Sequence, residues 1–196
     1  MTLRLTVTLV LVGALALGAG ESKPYDRRDW MPSGWIDEDS DCQHTRTEVL
    51  IRDAVPRREL QDGGVYFADA KRECNTIAAG VWIDPYTSRT IRDPGQIDID
   101  HVIPLAWAHA NGGDRWTREQ RRAYANDLRY PRHLRAVLAS ENRKKSAKGP
   151  DAYRPGEKSS WCWYGEAWAT IIVRWGLTVD APTRAAIVEL TDTCTR

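Results

Sequence analysis

Four side chains along this sequence have types and spacings that suit chemistry in common. Asp100 and His101 are adjacent in QIDIDHVIPL, His133 follows His101 by 32 residues, and Asn142 lies nine beyond His133. A carboxylate and an amide carbonyl are hard oxygen donors of the kind that Mg²⁺ or Mn²⁺ takes. Neutral imidazole, with an ordinary pKa of about 6.5, is the side chain suited to draw a proton from water near neutral pH. Such a set matches the hydrolysis of a phosphodiester. There a water must be deprotonated, and charge growing on the phosphoryl and leaving oxygens must be neutralised.

These residues can cooperate only if the chain brings them together. QIDIDHVI alternates as a strand, with Ile97, Ile99 and His101 on one side and Asp98, Asp100 and Val102 on the other. Asp100 and His101 can therefore serve one site only where the strand twists or ends, and Pro104, which has no N–H for a ladder, places such an end nearby. PLAWAHANGG predicts a helix closed by Asn111 and two glycines, and Thr117 with Gln120 offers a capping box for a second helix, TREQRRAYAND. A β-like run, RHLRAVLA, follows. Ser140 is then placed to cap a helix, ENRKKSAK, that stops at Gly149 and Pro150.

The flanks are simpler. Residues 21–41 mix Pro, Gly, Trp and acid without periodicity and read as an irregular, loosely held arm. CQHTRTEVLIRDAV predicts a short helix with Thr45 or Thr47 near its start and Val49 and Leu50 inward, and GGVYFADAKRECNTIAAGVWIDPYTSRTI predicts short strands broken by turns. The tail predicts two helices, around YGEAWATIIVRWG and APTRAAIVELTDTC, separated by LTVD.

DIDHVIPLAWAHANGG, YANDLRYPRHLRAV and ENRKKSAKG together resemble the HNH endonucleases, in particular the secreted members related to the C-terminal domain of the GmrSD restriction system. The likeness is densest from about Asp84 to Lys148. It implies an α+β fold with a ββα-metal (His-Me finger) core over about 97–148, holding one divalent ion, Mg²⁺ or alternatively Mn²⁺. Carried over residue by residue, it makes Asp100 and Asn142 metal ligands and His101 the general base. His133 stands at the middle position, where Asn is more usual. As a member of the catalytic set it has three readings: it orients the His101 loop through a backbone hydrogen bond, it is an added metal ligand, or it fills the core. The implied activity is a metal-dependent endonuclease acting on DNA, with RNA a second candidate substrate. Low sequence specificity is expected, because no zinc finger or helix-turn-helix stands beside the finger.

Charge and cysteines agree with such a partner and a compartment outside the cytoplasm. The formal net charge is only +1, but residues 115–158 hold 13 Lys plus Arg against 5 Asp plus Glu, a local +8, while residues 21–114 hold 11 against 18, or −7. Arg143, Lys144, Lys145 and Lys148 follow Asn142 and are the candidate clamp on a nucleic-acid backbone. Residues 1–20 carry Arg4, an apolar run and then small residues, the pattern of a signal peptide, and the run is shorter than the roughly 20 residues a membrane span needs. About 175 residues would remain, enough for a single domain over 42–196. Cys42, Cys74, Cys162 and Cys194 then suggest two disulfides, paired in chain order as Cys42 with Cys74 and Cys162 with Cys194. Oligomeric state is open. Two other function classes share these features: a non-catalytic nucleic-acid-binding protein, and a wall-binding module using some of the nine tryptophans on sugars. No Glu/Asp pair stands out for glycoside chemistry, and the tryptophans read first as core.

Overall fold

The computed structural model describes residues 23–56, 64–68 and 76–195. The signal-peptide reading and the Cys42–Cys74 pairing, which needs Cys74, lie outside the described residues. The class is mixed α and β, with three two-stranded antiparallel sheets and several helices among the described residues.

Helix α1 (Thr45–Asp53) begins at His44, whose ring nitrogen rather than a threonine hydroxyl accepts the backbone N–H of Thr47. It packs Val49 and Leu50 inward with strands β1 (Val65–Phe67), β2 (Ile77–Gly80), β3 (Trp82–Ile83) and β4 (Thr90–Ile91) to make one hydrophobic cluster around the fully buried Trp82. A second cluster is mostly aromatic, built from Trp30, Tyr86, Tyr124, Tyr164 and Trp168.

Strand β5 (Ile97–His101) lies between the two. It pairs with β6 (Leu134–Leu138) in the register Ile97 to Leu138, Ile99 to Ala136 and His101 to Leu134. The pleat therefore turns Ile97, Ile99, Leu134, Ala136 and Leu138 into the first cluster and Val137 into the second. Between the strands, α2 (Leu105–Ala110) and α3 (Arg118–Ala125) make the excursion, and α3 has the capping box of Thr117 and Gln120 that the sequence predicts. Helix α4 (Ala139–Lys145) starts directly off β6. Ser140 sits inside its first turn, and the capping position falls on Leu138, which makes no side-chain bond to the helix.

The tail forms α5 (Trp161–Trp175) and α6 (Ala181–Thr191), joined by the Cys162–Cys194 disulfide. That bridge links the start of α5 to the chain just beyond α6, so the helices run antiparallel. Gly165 lets them close: a Cβ there would stand 2.7 Å from the Cβ of Leu190.

The irregular arm is not loosely held. Trp30 is fully buried against Trp116 and Tyr124, and the Lys23 carbonyl accepts from His109 Nε2 at 2.6 Å.

Candidate active site at the end of strand β5

Strand β5 ends at His101, and this resolves the alternation problem. Asp100 and His101 leave opposite faces of the pleat, yet at a strand terminus both can border one cavity. They do so in an open cavity of about 470 Å³ that is also lined by Asn142 and Arg143 from α4 and by Tyr25 and Arg27 from the arm.

Helix α4 lies along β5 through two matched pairs. Asn142 Nδ2 donates to Asp98 Oδ2 at 3.1 Å, and Lys145 Nζ lies 3.0 Å from Asp100 Oδ1. Asp98 and Asp100 share a strand face, and Asn142 and Lys145, three apart, share a helix face. Asp100 is 2% exposed and also accepts from the Tyr86 hydroxyl at 2.5 Å. Burial pushes its carboxyl up and the Lys145 ammonium down from their ordinary values, and each is opposed first by the other's charge. The ion pair is the form that satisfies both. Asp100 then accepts from two donors, and Lys145 gains a second oxygen, the His101 carbonyl, at 3.0 Å.

The His101 ring is fixed on several sides. Its Nε2 lies 2.9 Å from the carbonyl oxygen of Ala125. A carbonyl only accepts, so the proton sits on Nε2, and Nδ1 carries the lone pair. Trp35 stacks on the ring at 5.6 Å, with 14° between the planes. Burial, then the neighbouring His133, holds His101 well below the usual imidazole range and so in its proton-accepting form at neutral pH.

His133 does not line the cavity. It is 1% exposed, its Nε2 donates to the Tyr124 carbonyl at 2.8 Å, and its Nδ1 is buried without a partner. Its own carbonyl accepts from the N–H of Val102 at 3.1 Å, extending the β5–β6 ladder past His101. Two histidines thus bind successive carbonyls, Tyr124 and Ala125, at the C-terminal end of α3. The added-ligand reading of His133 is thereby corrected, and its burial and backbone bond agree with the two others, a support for the His101 loop and a core residue.

The expected basic clamp is also corrected in part. Lys145 is fully buried against Asp100 and cannot meet a phosphate from solvent. Arg143, Lys144 and Lys148 are exposed, Lys144 near Glu141 at 3.6 Å and Lys148 donating to the Lys144 carbonyl. Arg143 lines this cavity and also a second one, of about 330 Å³, that Arg89 lines as well.

Sequence reading passed over Tyr25, Arg27, Trp35 and Tyr86. None has a periodic signal, and they reach the site through irregular chain. It also passed over an acidic group on the arm. Asp37, Asp39 and Asp41 each place a carboxylate oxygen within 4.8 Å of the others, and the N–H groups of Cys42 and Gln43 donate to Asp37 and Asp41. Glu48, twelfth counting from Asp37, has its carboxyl pushed up by burial and then by those acids. That spacing is the one found in EF-hand loops, with Cys42 at φ 74° in place of the usual glycine. The signal was visible in DEDSDCQHTRTE.

No family model matches this chain, and no solved structure matches it. It is 32% identical over 189 residues to an uncharacterized secreted protein of Arthroderma benhamiae, an alignment covering 96% of this chain and 85% of the other. The chain belongs to the same family as that protein and is secreted. Among the described residues no helix is long and apolar enough to cross a membrane.

Proposed function

We propose that this secreted protein is a divalent-metal-dependent endonuclease of the HNH type. It hydrolyses phosphodiester bonds of DNA, with RNA a second candidate substrate, and has little sequence preference. The observation that carries the reading is the meeting of Asp100, His101 and Asn142 in one cavity, with His101 Nε2 committed to Ala125.

His101 Nδ1 takes the proton of a water as its oxygen attacks phosphorus. The Nε2–H bond to the Ala125 carbonyl persists through this step, so the imidazolium forms without the ring turning. Tyr124 and His133 pack beside it, and Trp35 covers one face.

The donors suit a hard cation. Asn142 gives its Nδ2 to Asp98, which leaves Oδ1 as an acceptor, and each Asp100 oxygen keeps a second lone pair beside its hydrogen bond. Asp100 and Asn142 would hold Mg²⁺ or Mn²⁺, which when bound supplies positive charge to the phosphoryl and leaving 3′ oxygens. Exposed Arg143, Lys144 and Lys148 supply backbone attraction without base readout.

The test is cleavage of supercoiled plasmid, linear duplex, single-stranded DNA and RNA, with and without EDTA, beside His101→Ala. Cleavage that needs the metal and falls about 10²–10⁴-fold in the variant is expected. Equal cutting by both proteins, or indifference to EDTA, would sink the mechanism. Binding without turnover would favour a non-catalytic nucleic-acid-binding protein instead.

A further inference from the structure

One wall of the cavity comes from the N-terminal arm, and it carries a cation that the reaction scheme above leaves unused. Arg27 begins a single 3-10 turn, Arg27–Asp29. Around it the charges are paired: Arg28 with Asp26, and Asp29 with Lys23, Arg121 and Arg118. Arg27 has no carboxylate partner among the described residues. Its Nη2 donates to Met31 Sδ at 3.4 Å, a weak acceptor, and it bonds Tyr25, whose hydroxyl is raised by burial and drawn back first by Arg27.

The support beneath this guanidinium is rigid. Trp30 anchors the turn in the aromatic cluster, His109 holds the carbonyl of Lys23, and Trp35 lies on the His101 ring. Arg27 is itself exposed and lines the same cavity as His101 and Asp100. Its charge also reaches His101, where it is one of those opposing protonation. A turn tied down in this way thus presents an arginine to the place where a phosphoryl group would react, with its donors spent, among the described residues, on neither a carboxylate nor a backbone carbonyl.

We propose that Arg27 is a catalytic residue of this site. Its guanidinium fork binds the non-bridging oxygens of the scissile phosphodiester and binds them more strongly as charge accumulates there. This rests on the nuclease reading, and it makes the arm, outside the stretch that resembles HNH enzymes, part of the active site.

The experiment uses the mature protein with Mg²⁺ or Mn²⁺ and compares wild type, Arg27→Met, Arg27→Lys and the neighbouring Arg28→Met. Substrates are plasmid DNA and the small diester bis(p-nitrophenyl) phosphate. Arg27→Met should lower kcat about 10²–10³-fold on both substrates, with its thermal midpoint unchanged because the side chain is exposed. Arg27→Lys should recover only part, and Arg28→Met should match wild type. If Arg27→Met raises KM on plasmid alone and leaves the small diester untouched, Arg27 merely gathers nucleic acid and the proposal fails. Wild-type rates for Arg27→Met overturn it while the nuclease reading stands, and a wild type that cuts neither substrate overturns both.

Discussion

Lys145 Nζ lies 3.0 Å from Asp100 Oδ1 and 3.0 Å from the carbonyl oxygen of His101, so one buried ammonium ties down both residues at the end of β5. It fixes the carboxylate and the imidazole-bearing backbone relative to α4. Its charge also offsets that of the Asp100 carboxylate.

Removing that ammonium should be costly to the fold. Lys145→Met leaves Asp100 buried with only the Tyr86 hydroxyl, and unpaired charges of this kind cost about 3–5 kcal/mol. Asp100→Asn combined with Lys145→Met should regain most of the loss. Urea denaturation of both variants beside wild type checks this, and a Lys145→Met protein as stable as wild type would show that the pair is not formed.

His133 predicts how stability depends on pH. Burial lowers its pKa to about 4 in the folded chain, against about 6.5 unfolded. Above pH 6.5 both states are neutral there and stability is full. Between about 6.5 and 4 the unfolded chain takes a proton that the folded one refuses, so stability falls by roughly 1.4 kcal/mol per pH unit. His101, also held low by burial, adds in the same direction. His133→Asn should make the slope measurably shallower, which denaturation across this range at constant salt will read.

Arg143 and Arg89 predict a dependence on substrate length. The two line a second cavity that has Arg143 in common with the first, so a strand lying across Arg143 would meet Arg89 next. Arg89→Ala should raise KM for DNA and reduce the salt slope of binding by about 1, while bis(p-nitrophenyl) phosphate is cut at the wild-type rate. A lowered rate on the small diester would place Arg89 in the chemistry instead.

The Cys162–Cys194 bridge closes 32 residues of chain around α5 and α6. Cys194→Ser with Cys162→Ser should lower stability by about 3–4 kcal/mol, from loop entropy regained by the unfolded chain. Away from the cavity, it should leave cleavage intact at temperatures where the variant is folded. Calorimetry alongside the plasmid assay separates these effects.

The regular elements were legible because their signals are local. Alternation marks β5, Thr117 with Gln120 marks the start of α3, and 3.6-residue periodicity marks α5 and α6. Lys145 was misread as part of a solvent-facing run, although its spacing of three from Asn142 already put both on one helix face. Ser140 was misread because α4 grows straight out of β6 without a capping turn. The arm was unreadable for a deeper reason. Trp30, Trp35 and Arg27 are placed by tertiary packing on an irregular backbone, and no period records that. His133 could be narrowed to three roles but not to one, since a backbone carbonyl as partner leaves no trace in the side-chain sequence.

The excursion between His101 and Leu134 has a consequence for how the protein comes into being. The two strands can close only after 32 intervening residues have been gathered in, and the carbonyls that orient both histidines belong to a helix inside that gathered segment. Loop closure of this kind is paid before the strand contacts reward it, so it belongs late in folding. A chain still being made or exported therefore has no oriented His101. On the proposed nuclease reading, this topology would withhold cleavage until the chain had folded.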